Sequence, residues 1–246
     1  MKSNVLVCIP SPRKILSVQN TIDTLPLDKL WIKNIDEIWA YRIMRNWFLR
    51  NTEYTHLAIS PDDMLVTPKK VQRLIDGIEK YDFPVLSGWC NNVGRGKGSD
   101  KVSVTRNVPV PIIGQLSYNN YTETEMRNSF DDYIQCGFSG FAFQIIRRDI
   151  IEKIEFSGVD CGSGGIIKGL DVGFSYSCSN ENIPIIVDTR SHFIHLKGIL
   201  EDSQIQNLLV GREDPHLWFV KSNTSFNQGV RINHLDYAYN SNTTKS

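Results

Sequence analysis

Two adjacent carboxylates, Asp62 and Asp63, follow the mostly apolar run Tyr54-Thr55-His56-Leu57-Ala58-Ile59-Ser60 and a proline, Pro61. Carboxylate oxygens suit a hard divalent cation, so the pair is a candidate metal site. The alternative is turn chemistry before a helix, with Thr67 as N-cap and Pro68 at the first helical position. Arg13 follows an apolar run, where it could meet a nucleotide or simply be solvated. Arg42 and Arg45 flank the apolar face of a predicted helix, able to reach a phosphate or to snorkel. Asp171 opens another predicted helix; a carboxylate there could take a proton or only complement the helix dipole. His192 and His195 are three apart in a short predicted strand, so at most one reaches a shared site. His195 lies nearer the C-terminal end.

These residues need elements to hold them. Asn4 to Ile9 is a nearly continuous apolar run, the mark of a strand buried on both faces. It breaks at Pro10-Ser11-Pro12-Arg13, and a helical pattern starts near Lys14, which makes a βα unit. That turn lacks a glycine-rich phosphate fingerprint, so a standard dinucleotide fold is disfavoured. Leu30 to Ile32 reads as a second strand, and Asp36 to Arg50 as a helix whose apolar residues recur at i, i+3 and i+4. The acid-bearing turn leads into a helix over Val71 to Tyr81, then a strand over Phe83 to Cys90. Asn91 to Asp100 is a glycine-rich basic loop, and Val102 to Val110 an edge strand. Gly114 to Asp132 has no clear periodicity. Around Cys136 to Gly140, small residues let the backbone approach a ligand before a strand and a helix near Arg147. A second glycine-rich loop, 158–169, leads to a helix over Leu170 to Cys178. A strand over Ile183 to Val187, a helix over Ile199 to Leu209 and a disordered tail from Asn240 complete the reading. The stretch with Trp218-Phe219-Val220 is less regular.

The 246 residues include 41% apolar, 22% charged and 10% aromatic, enough for one large α/β domain or two small ones. Lys plus Arg and Asp plus Glu both number 27, a balance that argues against a nucleic-acid partner. The five cysteines are odd in number and lack CxxC spacing, which fits reduced thiols in the cytoplasm. The first apolar run is too short for a signal-peptide core, and no stretch has transmembrane length. Three glycosylation sequons, at Asn120, Asn223 and Asn242, read as chance matches without a secretory signal. Peripheral placement at a membrane surface stays open, although no basic amphipathic segment argues for it.

The order of these pieces, over about residues 3 to 198, resembles the GT-A fold nucleotide-sugar-dependent glycosyltransferases, family two above all. The resemblance implies an α/β, Rossmann-like fold with a central, mainly parallel mixed sheet flanked by helices. It makes residues 1–198 the transferase domain. Residues 199–246 become a C-terminal extension, not an independent domain, that covers the site or supports oligomerisation. The family's Asp-any-Asp turn, which holds Mg or Mn, matches Asp62 and Asp63 with Pro61 or Met64 in place of one acid. His195 matches a histidine near the metal or diphosphate. Asp171 matches the catalytic base, with Leu170 in place of the acid before it. Pro10, Ser11, Arg13, Arg42 and Asp62 fall at the donor's nucleotide and diphosphate. Phe138, Ser139 and Gly140 fall in the loop lining donor sugar and acceptor, and Trp89 either shapes the acceptor side or belongs to the core. The implied partners are a nucleotide-sugar donor and a hydroxyl acceptor on a glycan, a lipid-linked molecule or a protein, with inversion at the anomeric carbon. One alternative is a sugar-phosphate nucleotidyltransferase, although those normally carry a glycine-rich basic loop after the first strand. The other is a non-catalytic nucleotide- or glycan-binding adaptor.

Overall fold

The computed structural model describes residues 3–11, 13, 15–91, 100–112, 115–160, 166–167, 169–196, 214–222, 224 and 226–238. The predicted helix 199–209, the predicted tail 240–246, residues 92–99 of the first glycine-rich loop and residues 161–165 and 168 of the second lie outside the described residues. The chain begins with β1 (Val5–Ser11), α1 (Leu16–Asp23), β2 (Asp28–Lys33), α2 (Glu37–Arg50), β3 (His56–Ile59), β4 (Met64–Leu65), α3 (Pro68–Tyr81) and β5 (Val85–Trp89). It continues through β6 (Lys101–Thr105), β7 (Val110–Ile112), β8 (Gln115–Ser117), β9 (Asn120–Thr122), α4 (Glu123–Arg127), β10 (Tyr133–Cys136), β11 (Phe138–Ser139), β12 (Gln144–Arg147) and α5 (Arg148–Lys153). Then come β13 (Val159–Asp160), β14 (Ile166–Ile167), α6 (Leu170–Asn180), β15 (Ile185–His192), β16 (Ile194–His195), β17 (His216–Val220) and β18 (Val230–Ile232).

Among the described residues the central sheet has nine strands, in the order β10-β15-β5-β12-β3-β1-β2-β17-β18. β1, β2, β3, β5 and β15 run one way, and β12 is inserted antiparallel between β3 and β5. This is the mixed α/β sheet flanked by helices that the sequence implies. Alternation along β1 shows why helices cover both faces. Leu6 and Cys8 pack on one side with Ala40, Met44 and Trp47 of α2. Val5, Val7 and Ile9 pack on the other with Val18 and Ile22 of α1 and Val71 and Leu74 of α3.

Two helix starts follow their sequence signals. Asp36 caps α2, its carboxylate accepting from the Ile38 N–H at 3.1 Å, and Pro68 sits at the start of α3. The buried residues of α2 include Ala40, Tyr41, Ile43, Met44, Trp47 and Phe48, while the apolar Ile38 and Trp39 are exposed. Arg45 of α2 donates to the carbonyls of Ile151, Glu152 and Ile154 at the end of α5. Arg148 of α5 in turn donates to the carbonyls of Phe48 and Asn51 at the end of α2. Each arginine adds a side-chain donor to carbonyls at the C-terminal end of the other helix. The unplaced stretch 114–132 contains α4, with a capping box between Thr122 and Glu125.

The C-terminal segment is more than an appendage to residues 1–198. β17 pairs antiparallel with β2, from His216 opposite Lys33 to Val220 opposite Lys29, and β18 pairs with β17. Leu217 is fully buried in the core on the α2 side. The sheet therefore crosses the boundary expected at residue 198. Replacing Leu217 by Ala should lower the free energy of unfolding by about 2–5 kcal/mol, the usual loss for a filled core position. Urea denaturation checks this; a change within about 0.5 kcal/mol, as at surface positions, would make the segment peripheral.

Candidate functional site

The C-terminal ends of β1, β3, β5 and β15 meet along one edge of the sheet, where open α/β sheets form ligand crevices. A cavity of about 410 Å³ opens there, lined by residues from distant parts of the chain. Arg13, Asp63, Phe138, Gly140, Asp171 and His195 all line it, as do Glu37, Tyr41, Cys90, Asn91, Ser103 and Tyr118.

The acid pair is built by continuing β3. The Ser60 N–H donates to the Cys8 carbonyl at 3.0 Å, extending the ladder with β1. A turn follows, with the Met64 N–H donating to the Pro61 carbonyl at 3.3 Å. Asp62 and Asp63 are buried, at 3% and 4% exposure. Their partner is Arg13. Its backbone N–H donates to Asp62 Oδ2 at 2.9 Å and its Nε to Asp62 Oδ1 at 2.9 Å, and Nη2 also bonds Oδ1. Nη1 forms an ion pair with Asp63 Oδ2 at 3.0 Å.

His195 reaches the same turn from the far end of the domain. β16 pairs antiparallel with β4, setting His195 opposite Met64, and the Leu196 N–H donates to the Asp63 carbonyl at 2.8 Å. The His195 Nε2 lies 3.2 Å from Asp63 Oδ2. Burial alone would lower the His195 pKa, but the hydrogen bond and charge of Asp63, with Cys90, raise it from 6.5 to about 9. Burial raises the pKa of Asp63, but His195 first and then Arg13 outweigh it and hold the carboxyl below its usual range. For Asp62 burial prevails over Arg13, and the pKa moves up.

Asp171 stands apart from this network. Its Oδ1 accepts from the Val172 N–H at 2.9 Å. A Cβ built on Gly140 would sit 3.7 Å from Asp171 Oδ2. Among the described residues no cation pairs with it, and burial pushes its pKa up. α6 is docked through Gly173, where a Cβ would fall 1.6 Å from the Ser157 carbonyl oxygen, so only glycine fits. Phe174 and Phe156 stack at 5.4 Å, and Tyr41 and Phe141 at 5.5 Å, tying α6 to α2 beneath the cavity. The Tyr41 phenol is pushed up by burial and then by the charges of Glu37, Asp171, Asp62 and Asp63, so four carboxylates share this end of the fold.

The other candidates divide. Pro10 and Ser11 end β1, and the Ser11 hydroxyl donates to the Arg13 carbonyl at 2.8 Å. Phe138 and Ser139 pair with β6, and the buried Ser139 hydroxyl donates to Ser87 Oγ at 2.9 Å, beneath the cavity wall. Arg42 is on the exposed side of α2, its guanidinium 5.2 Å from the Trp39 ring centre, and it does not line the cavity. Trp89 is core, donating from Nε1 to the Thr189 carbonyl at 2.9 Å. The His192 ring packs tilted against Trp89, ring centres 4.3 Å apart, and its Nε2 lies 3.1 Å from Asn91 Oδ1.

Sequence reasoning missed Lys33, whose buried Nζ donates to Ser11 Oγ at 3.2 Å and lies 4.5 Å from the Trp31 ring centre. A lysine ending a buried strand was the available signal. It also missed Glu37 and Tyr41, which the helical pattern assigns to a face without saying what that face meets.

The donor set does not suit the divalent cation implied by the resemblance. Both oxygens of Asp62 and one of Asp63 are engaged by Arg13, and His195 adds a bond to that same Asp63 oxygen. Among the described residues no group of three or more His, Cys, Asp or Glu side chains is disposed to hold a metal ion.

No protein-family model and no curated protein sequence matches the chain. In three dimensions it is similar to the crystal structure of A197 from STIV, with 17% identity and a TM-score of 0.47 over 78% of this chain and 81% of that one. It is also similar to CMP:2-keto-3-deoxy-manno-octonic acid synthetase complexed with CTP, with 11% identity and a TM-score of 0.41 over 75% of this chain and 89% of that one. At these scores neither likeness assigns an activity, and one fold hosts many chemistries. No described helix is long and apolar enough to cross a membrane.

The His195–Asp63 contact has a pH signature. The folded pKa of His195 lies above its ordinary 6.5, so the contact's contribution is complete below about pH 6.5 and is lost as pH rises through about 9. Unfolding free energy should fall by about 1–3 kcal/mol more in the wild type than in His195→Gln across that window. A His195 ring resonance titrating below pH 7 would refute the assignment.

Proposed function

We propose that the chain is a glycosyltransferase that moves a sugar from a nucleotide-sugar to a hydroxyl acceptor. The observation that carries this reading is the convergence of Arg13, Asp63, Phe138, Gly140, Asp171 and His195 on one cavity at the C-terminal edge of the sheet. The cavity has a cationic side at Arg13 and a basic side at Asp171, as such a transfer needs. Asp171 Oδ2 takes the proton of the acceptor hydroxyl while its oxygen attacks the anomeric carbon. The bond from that carbon to the diphosphate oxygen breaks, and its electron pair leaves with the diphosphate. Arg13 meets the growing negative charge. With a single base and a single displacement, configuration at the anomeric carbon inverts. Tyr118 and Phe138, with ring centres 6.2 Å apart, offer apolar faces beside the polar groups. The acceptor is a hydroxyl on a glycan, a lipid-linked molecule or a protein.

Incubation with a panel of nucleotide-sugars and hydroxyl acceptors, following nucleoside diphosphate release, tests the reading. Asp171→Asn should reduce turnover by about 10²–10⁴-fold, the usual contribution of a positioned base. Its melting temperature should hold or rise, because burial makes the lost charge costly. Activity should rise with pH through a pKa above the ordinary 3.8 of an aspartate. Pyrophosphate release from a nucleoside triphosphate and a sugar phosphate would instead identify a nucleotidyltransferase, and saturable binding without turnover an adaptor.

A further inference from the structure

Arg13 lies where a metal bridging Asp62 and Asp63 would have to sit. Its side chain touches both carboxylates at once, by Nε and Nη2 on Asp62 and by Nη1 on Asp63 at 3.0 Å. Its main chain is fixed as well, the N–H on Asp62 Oδ2 at 2.9 Å and the carbonyl accepting from Ser11 Oγ at 2.8 Å. A divalent cation reaching these oxygens would have to displace the guanidinium from two buried partners. Otherwise it would sit within a few ångströms of a group that stays positive at any working pH.

The guanidinium is not wholly consumed by the acids. Each terminal nitrogen carries a second N–H beyond those used on Asp62 and Asp63, and Arg13 lines the cavity with its side chain 17% exposed. A planar fork of this kind suits the paired oxygens of a phosphate. We propose that Arg13 is the built-in cation of this site and takes the place of a divalent metal against the diphosphate of a bound nucleotide. The diphosphate part rests on the donor-site reading above. The occupation of the cation position by Arg13 does not.

Manganese titration of the protein alone, followed by electron paramagnetic resonance of free Mn²⁺, decides the cation. The wild type should show no saturable binding below about 1 mM. Arg13→Ala exposes the acid pair and should gain a site at least about tenfold tighter. Saturable wild-type binding below that concentration, or no gain in the variant, would overturn the proposal. If Arg13→Ala is unfolded by circular dichroism, Arg13→Gln serves, since it removes the charge and keeps most of the volume. Calorimetry with UDP, GDP and CDP then tests the diphosphate. Affinity should be equal within about threefold in EDTA and in Mn²⁺, and fall at least about tenfold in the variant. Binding strengthened tenfold by Mn²⁺ would also overturn the proposal. If none of the nucleotides binds, the donor-site reading falls and the manganese titration still decides the role of Arg13.

Discussion

Two neighbouring carboxylates buried at the end of a strand are the constraint on which this end of the fold depends. Each ionised group taken from water costs several kcal/mol unless a partner charge or hydrogen bond replaces the lost solvation. Side by side, Asp62 and Asp63 also repel. The chain meets this with Arg13 from the turn after β1 and His195 from β16, residues 49 and 132 positions away from their acids. Removing one member of such a buried cluster typically costs about 3–5 kcal/mol, because the rest is left uncompensated. The small β4–β16 pairing can be understood in these terms. It holds His195 opposite Met64 and closes the Leu196 N–H onto the Asp63 carbonyl, so the far end of the chain is registered against the acid turn.

Much of the scaffold was legible because it is written locally. The apolar run of β1, the Asp36 cap, Pro68 at the start of α3 and Asp171 at the start of α6 are each signalled within a few residues. The acid turn was legible for the same reason. Its occupant was not, because nothing near Asp62 specifies an arginine from the turn after β1. Arg42 shows the limit of periodicity. A helical wheel sets it beside the apolar residues, yet the buried stripe runs through Ala40, Tyr41, Met44 and Trp47 and leaves Arg42 over Trp39 in solvent. β17 was obscured differently. His216-Leu217-Trp218-Phe219-Val220 carries apolar residues on both faces, one packed with α2 and the other against Trp31 and Phe226, so strict alternation is lost.

Asp62, Asp63 and Asp171 fall into two environments, and the difference is what gives the site a direction. Asp62 and Asp63 each touch a cation, and their charge is spent in holding Arg13 in place. Asp171 is held by backbone donors alone and lies beside Gly140, with Oδ2 turned to the space above the glycine. Burial opposes its charge, so proton uptake relieves a cost that Asp63, with its cationic partners, does not bear in the same way. Pairs of groups whose surroundings push their pKa values apart are how one site separates acid and base roles. The separation depends on distance kept by packing. The glycine contact of α6 at Ser157 and the stacked rings of Phe156 and Phe174 fix Asp171 on its own side of the cavity. If α6 could slide toward Arg13, the guanidinium would pair with Asp171 as it does with Asp62 and Asp63, and the site would lose its carboxylate that no described cation pairs. The aromatic layer beneath the cavity is therefore as much a part of the site's chemistry as the acids it carries.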